Sequence, residues 1–237
     1  MTLQPEIRGG IIAAGHGRRL REAGWMLPKP LVPVNGVPLI ESVIRNFIAA
    51  GLETIAIILN EQELDCVEWV RRRFPDTAIE FIVKTTRSSL ESLREVTARL
   101  GAGRALVSTV DAWCRPEDFA RFVSAAASRP ATASVLAVTP FVDDEKPLWV
   151  RLDRGGRVRE IGGTGGDVVT AGIYLLSERA RGLAATADLP RLRDYLGWLV
   201  ERGEVVYGEV IETVVDVDRP ADITVAEGFA AGRGVTR

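Results

Sequence analysis

Residues 10–14, Gly-Ile-Ile-Ala-Ala, form a short apolar block that runs on into glycine, the pattern of a strand buried on both faces of a parallel sheet. The next block has a different period. Leu39, Val43, Phe47 and Ala50 recur at helical spacing, Gly51 ends the run, and residues 54–59 are continuous and rich in β-branched side chains. Together these predict a strand–helix–strand unit. Residues 63–74 predict an amphipathic helix, 79–83 a strand, 88–100 a helix and 105–109 another strand. Such sustained alternation predicts an α/β fold, a doubly wound and mostly parallel Rossmann-like sheet, through about residue 140. Ligands are then expected beyond the C-terminal ends of its strands. Past that point the texture changes. Residues 148–152, 157–161 and 168–176 read as strands joined by Asp153-Arg154-Gly155-Gly156 and a Gly-rich loop, which predicts a small antiparallel β lid. Residues 189–201 return to helix, 205–209 and 213–217 to strand, and Pro220 opens a final helix whose N-cap is Arg219 or Asp218.

Composition narrows the partners. The 237 residues, 46% hydrophobic, suffice for one domain with a sizeable core, and no repeat divides them. A net charge of −2 supplies no global positive field, so neither a nucleic acid nor an anionic membrane surface is the expected partner. A small soluble substrate is. Cys66 and Cys114 lie in separate predicted elements without metal-ligand spacing, which argues against disulfides or zinc and for a reducing, cytoplasmic setting. Residues 1–8 are polar with mixed charge and the apolar run 9–15 is too short to cross a bilayer, so no targeting segment is read. A homodimer is only the general expectation for a soluble enzyme.

The first predicted strand empties into Gly15-His16-Gly17-Arg18-Arg19-Leu20. Two glycines let backbone N–H groups approach phosphate oxygens, and two arginines add charge. A G-x-G turn is a weak signal alone, but no third glycine arrives at dinucleotide-binding spacing and no helix with apolar periodicity is read here. Ten residues beyond Arg19, Lys29 is stiffened by Pro28 and Pro30, so two cations can face one polyphosphate.

Residues 11–40 resemble the signature of the sugar-phosphate nucleotidyltransferases: an apolar strand, A-A-G-x-G-T-R-L, a ten-residue step to P-K-x-L, then P-V-x-x-x-P-L-I. The resemblance implies a GT-A-like, nucleotide-diphospho-sugar transferase fold. It also implies transfer of a nucleoside monophosphate from an NTP to a phosphorylated small molecule, a sugar 1-phosphate foremost, with release of pyrophosphate. Residues 8–140 would form the nucleotide-binding half and 141–237 the acceptor-binding half. Arg19 and Lys29 would engage the triphosphate and the substrate phosphate, and Ala13, Ala14, Gly15, His16, Gly17 and Arg18 would line the nucleotide. Arg18 stands where the family has Thr or Ser. The Arg-to-Lys step follows the long form rather than the compact R-M-G-x-x-K of the molybdopterin nucleotidyltransferases.

Asp111 ends a predicted central strand, where a hard oxygen ligand for Mg²⁺ is needed; read alone, it serves as well to turn the chain toward the helix near Pro116. The segment Val214-Val215-Asp216-Val217-Asp218-Arg219-Pro220 resembles the family's closing D-V-D-T-P-E-D, which makes Asp218, and next Asp216, the partner metal ligand. Ser88 and Ser89 stand in the family's base-recognition segment and are equally suited to capping a helix. Val169 to Tyr174 resembles an A-G-I-Y strand that lines the acceptor pocket, with Gly172 allowing close approach. Glu160 occupies the acidic position of a lid Glu–Lys pair whose lysine is missing. The sole histidine, His16, is assigned no base role, since a phosphate nucleophile is already anionic. Two alternatives stay open: a phosphocholine-type cytidylyltransferase, and a non-catalytic nucleotide-sugar-binding module.

Overall fold

Each strand of the apolar series sends alternate side chains to opposite faces, and two separate cores result. On β1 (Arg8–Ala13), Ile11 enters one core and Ile12 the other. The structure, a computed structural model, describes residues 7–232; of the polar stretch read at residues 1–8, residues 1–6 lie outside them. After β1 come α1 (Arg18–Glu22), a 3₁₀ turn (Lys29–Leu31), a hairpin of β2 (Pro33–Val34) and β3 (Val37–Pro38), and α2 (Leu39–Ala49). Then follow β4 (Thr54–Leu59), α3 (Leu64–Arg73), β5 (Ala78–Val83), α4 (Ser89–Ala98), β6 (Ala105–Thr109), β7 (Ala112–Trp113), α5 (Pro116–Ser128) and β8 (Ser134–Thr139). The rest comprises β9 (Trp149–Leu152), β10 (Val158–Ile161), β11 (Val168–Leu176), α6 (Glu178–Thr186), α7 (Leu192–Glu201), β12 (Val206–Val210), β13 (Val215–Asp216) and α8 (Pro220–Ala230).

Nine strands form one sheet in the order β10-β9-β11-β6-β1-β4-β5, with β8 also on β11 and β12 on β8. The run β6-β1-β4-β5 is parallel throughout, in the expected register of buried strands. Phe47 of α2 and Phe119 of α5 stack at 5.6 Å in the core on one face, while Leu93 of α4 and Tyr195 of α7 fill the other. Helices therefore cover both faces, as the alternation predicted.

Three features differ from the sequence reading. A five-residue helix, α1, does begin at the glycine loop; Gly17, at φ 56, supplies the left-handed turn before it. The element α6 and strand β8 carry no periodicity strong enough to have been read. Most consequentially, β11 is more than a lid strand: its first residues pair antiparallel with β9 as expected, but the strand continues between β6 and β8, antiparallel to both, inside the main sheet. Burial of its alternate residues in both cores favours the central position. No helix among the described residues is long and apolar enough to cross a membrane.

Candidate active site

Beyond the C-terminal ends of β1 and β6 lies a cleft of about 290 Å³, whose wall includes Arg19, Asp111, Gly172, Tyr174, Asp216 and Asp218. Four chain segments build its floor. The first is the glycine loop with α1. A Cβ added at Gly17 would lie 2.8 Å from the Lys29 Cβ, so the bare backbone of Gly17 is what allows Lys29 to pass beneath the loop. The second is the 3₁₀ turn, whose Pro28 and Pro30 hold Lys29 at 6% exposure. The third is the tight turn between β6 and β7, which carries Asp111. The fourth is β13 and the residues after it: β13 pairs with β7, setting Asp216 opposite Ala112, and Val217 N–H donates to the Asp111 carbonyl at 3.0 Å.

The side chains meet. Lys29 Nζ donates to Asp111 Oδ2 at 2.5 Å and also to Asp218 Oδ1, while Arg19 Nη1 donates to Asp218 Oδ2 at 2.8 Å. One carboxylate oxygen from each of Asp111, Asp216 and Asp218 falls within 4.8 Å of the others. Asp218 is held in turn because its N–H donates to Asp222 Oδ2 at 2.9 Å, and Asp222 also accepts from the N–H of Arg219, the N-cap of α8. The expected cap is therefore Arg219. Asp111 caps no helix; Arg115 holds that place for α5.

Charge is unbalanced toward acid. Burial alone would push the Lys29 ammonium down, but Asp111, Asp218 and Asp216 outweigh it and hold it above its ordinary value. Burial would likewise raise Asp111, yet Lys29 keeps it below the usual carboxylate range. Asp216 moves the other way: its recessed position and the Asp111 carboxylate raise it well above that range. Its side chain nevertheless opens to solvent, so a cation entering from the cleft can reach it. Hard oxygen donors at this spacing suit a divalent cation.

The other anticipated residues scatter more widely. Ala13 and Ala14 are buried, Gly15, His16 and Arg18 are exposed, and Asn60 Nδ2 ties the Ala14 carbonyl at 3.4 Å and His16 Nδ1 at 3.3 Å. Ser88 accepts from Glu91 N–H at 3.2 Å as the N-cap of α4, whereas Ser89 lines the cleft and accepts from Leu192 N–H at 3.1 Å. Glu160 is not brought to the cleft: it pairs with Arg151 at 3.1 Å on the outer hairpin. Gly172 does line the cleft, but its bareness first serves the protein. At φ 72, an added Cβ would lie 2.7 Å from Thr109 Oγ1 and 2.8 Å from the Ala112 Cβ, at the bulge where β11 passes the Asp111 turn. The sequence reading missed Phe141, Asp143, Asp144 and Arg193, which complete the wall. These sit in irregular chain or on a solvated helix end, with no spacing to distinguish them.

The family model for the MobA-like NTP transferase domain matches residues 9–169. Over 95% of its length the chain is 30% identical to a bifunctional IPC transferase and DIPP synthase of Rubrobacter xylanophilus, covering 52% of that protein. It is 28% identical to a CMP-5'-(3-aminopropyl)phosphonate synthase of Streptomyces rubellomurinus, over 78% of this chain and 31% of that one. The chain thus spans about half, or a third, of the length of these relatives. Among solved structures, the inositol-1-phosphate CTP transferase from T. maritima superposes with a TM-score of 0.78 at 20% identity, over 98% of this chain and all of the other, which establishes the shared fold.

Proposed function

We propose that this chain, which belongs to the MobA-like NTP transferase domain family, is a nucleotidyltransferase that moves CMP from CTP to a small phosphorylated acceptor and releases pyrophosphate. One observation carries the reading: Arg19, Lys29, Asp111 and Asp218, up to 199 residues apart in the chain, are joined by direct ion pairs at the C-terminal mouth of a parallel sheet. The choice of cytidine follows the phosphonate synthase relative and the inositol-1-phosphate CTP transferase that shares the fold, whose names specify CMP and CTP. The acceptor is a sugar or polyol phosphate, in keeping with the inositol-1-phosphate CTP transferase that shares the fold.

An acceptor phosphate oxygen attacks the α-phosphorus; the new P–O bond forms as the bond to the β-bridging oxygen breaks, and its electron pair leaves with pyrophosphate. No base is required, because the nucleophile is already an anion. Arg19 exchanges Asp218 for the β and γ phosphates, alongside amides of the glycine loop. Lys29, kept protonated by its acidic neighbours, screens the two phosphates as they approach. Asp111 and Asp218, with Asp216, would hold Mg²⁺, which when bound neutralises charge on the phosphate oxygens.

A second reading has its own observation. Asp143 and Asp144 line the acceptor side of the cleft and suit an ammonium-bearing acceptor such as phosphocholine or an aminoalkylphosphonate. Incubating the protein with each of five NTPs, with and without Mg²⁺, against inositol 1-phosphate, glucose 1-phosphate, phosphocholine and 2-aminoethylphosphonate decides between them. Pyrophosphate with CTP and a polyol or sugar phosphate is expected. Turnover confined to the amine-bearing acceptors selects the second reading, and release with none leaves a binding module.

A further inference from the structure

A buried acid outside the cleft remains unused by this chemistry. Glu63, the N-cap residue of α3, is 1% exposed, and its Oε1 accepts from Arg21 Nη2 at 3.2 Å. Its Oε2 is fully buried without a hydrogen-bond partner. For stability alone this is a poor arrangement, because a buried carboxylate oxygen left unpaired costs more than an apolar side chain of similar size. The partner across the pair explains what it can do.

Arg21 belongs to α1, the five-residue helix that carries Arg19. At 100° per residue, positions 19 and 21 point to opposite sides of that helix. Arg19 reaches the cleft and Asp218; Arg21 reaches away from it to the scaffold at Glu63. Such a short helix has little stability of its own, and Leu20 is its only buried residue. In the structure it is pinned from both sides. When Arg19 turns to a triphosphate the cleft-side pin to Asp218 is released, and the Glu63–Arg21 pair is the ionic brace that remains.

We propose that Glu63 is a positioning residue: through Arg21 it fixes the short helix that presents Arg19 and the glycine loop to the nucleotide. This rests on the transferase reading. The carboxylate touches neither substrate nor reacting atoms, so its loss weakens nucleotide binding rather than the chemical step.

Four variants of the full chain test it: Glu63→Leu, Glu63→Gln, Arg21→Ala and the double variant Glu63→Leu/Arg21→Ala. Steady-state pyrophosphate release by Glu63→Leu and by Arg21→Ala should show the KM for CTP raised about five- to tenfold with kcat within about twofold. The double variant should be no worse than either single one, as expected for two partners in one contact. Glu63→Gln, which keeps an acceptor for Arg21, should recover about half of the loss on a logarithmic scale. A thermal midpoint for Glu63→Leu at or above wild type, together with the raised KM, separates positioning from a structural role. A readout independent of turnover is amide exchange in the ligand-free protein: the amides of Arg21, Ala23 and Trp25, which donate to the carbonyls of Gly17, Arg19 and Leu20, should exchange about tenfold faster in Glu63→Leu and Arg21→Ala. Should Glu63→Leu fail to fold, Arg21→Ala alone decides, since its side chain lies on the surface. If the wild type releases no pyrophosphate, the transferase reading fails while amide exchange still reports on the brace. Unchanged exchange in Arg21→Ala, or in an active wild-type background a KM within twofold for both single variants, overturns the proposal.

Discussion

Strand β6 has a buried cation near each end, and the two are partnered in opposite ways. Arg104, just before the strand and 5% exposed, donates only to backbone carbonyls: Nη1 to Ala126 at 3.2 Å and Arg129 at 3.3 Å, and Nη2 to Ala127 at 3.1 Å. It closes the C-terminal end of α5, where the helix dipole favours positive charge, and no carboxylate is involved. Lys29, packed just beyond the other end, is 6% exposed and faces three carboxylates drawn from two distant segments. A cation held by neutral carbonyls finishes a helix. One held by more acid than it can neutralise is where, on the proposed transferase reading, a divalent ion and an anionic nucleotide would bind. Burial is equal in the two cases, so the sign and surplus of the partners carry the functional information.

The largest break between the two ends should come from chelation. Removing divalent cations should abolish pyrophosphate release, and added Mg²⁺ should restore it, while the unfolding midpoint of the ligand-free protein stays unchanged. Next, Lys29→Met should cost about 10²–10³ in turnover as a lost charge-stabilising group. Arg104→Met should instead keep turnover of the folded fraction within about twofold and lower the unfolding free energy by about 2–4 kcal/mol, as expected when the group organising a buried helix end is lost. Pyrophosphate assays and urea titrations on the same preparations compare them directly; a large turnover loss in Arg104→Met would erase the distinction.

Glu63 sharpens the contrast as a buried acid with one cation. Burial, only partly offset by Arg21, pushes its carboxyl up to about 7 from an ordinary 4.5. The folded state therefore holds the proton more tightly than the unfolded chain. The stability this contributes is full below pH 4.5 and is lost as pH rises through about 7. Between pH 4.5 and 8, wild type should lose roughly 2–3 kcal/mol more unfolding free energy than Glu63→Gln. Parallel pH profiles for the two would remove this assignment. The smallest effect is expected at Gly172, where Ala would strain a backbone at φ 72 and crowd Thr109 and Ala112. A loss of about 1–2 kcal/mol in stability is expected, with a several-fold fall in turnover as the Asp111 turn shifts.

The parallel half of the sheet was legible because strands buried on both faces must be continuously apolar and their crossover helices must be amphipathic. Residues 54–59 and 105–109 match the predicted strands residue for residue. The β11 strand misled because its antiparallel partners β6 and β8 are far from it in sequence, and nothing within residues 168–176 tells a lid strand from a central one. Lys29 could be nominated from its flanking prolines and its step from Arg19, Asp111 from its strand end once that first motif was read, and Asp218 from its resemblance to the family's closing segment; that they touch is a tertiary fact. Ser88 shows the converse, since a serine before a helix is written the same way whether it caps or binds. Glu160 was nominated from a motif already lacking its lysine, and the hairpin that carries it turns the acid toward Arg151.

The central claim is that the three acids and Lys29 surround one divalent ion and one triphosphate. Titrating Mn²⁺ into the protein by electron paramagnetic resonance, with a non-hydrolysable CTP analogue present, tests it most directly in wild type, Asp111→Asn and Asp218→Asn. The account predicts nucleotide-dependent binding of a single ion in wild type, weakened at least about tenfold in Asp111→Asn and measurably in Asp218→Asn. Equal Mn²⁺ affinity in all three folded proteins would contradict it.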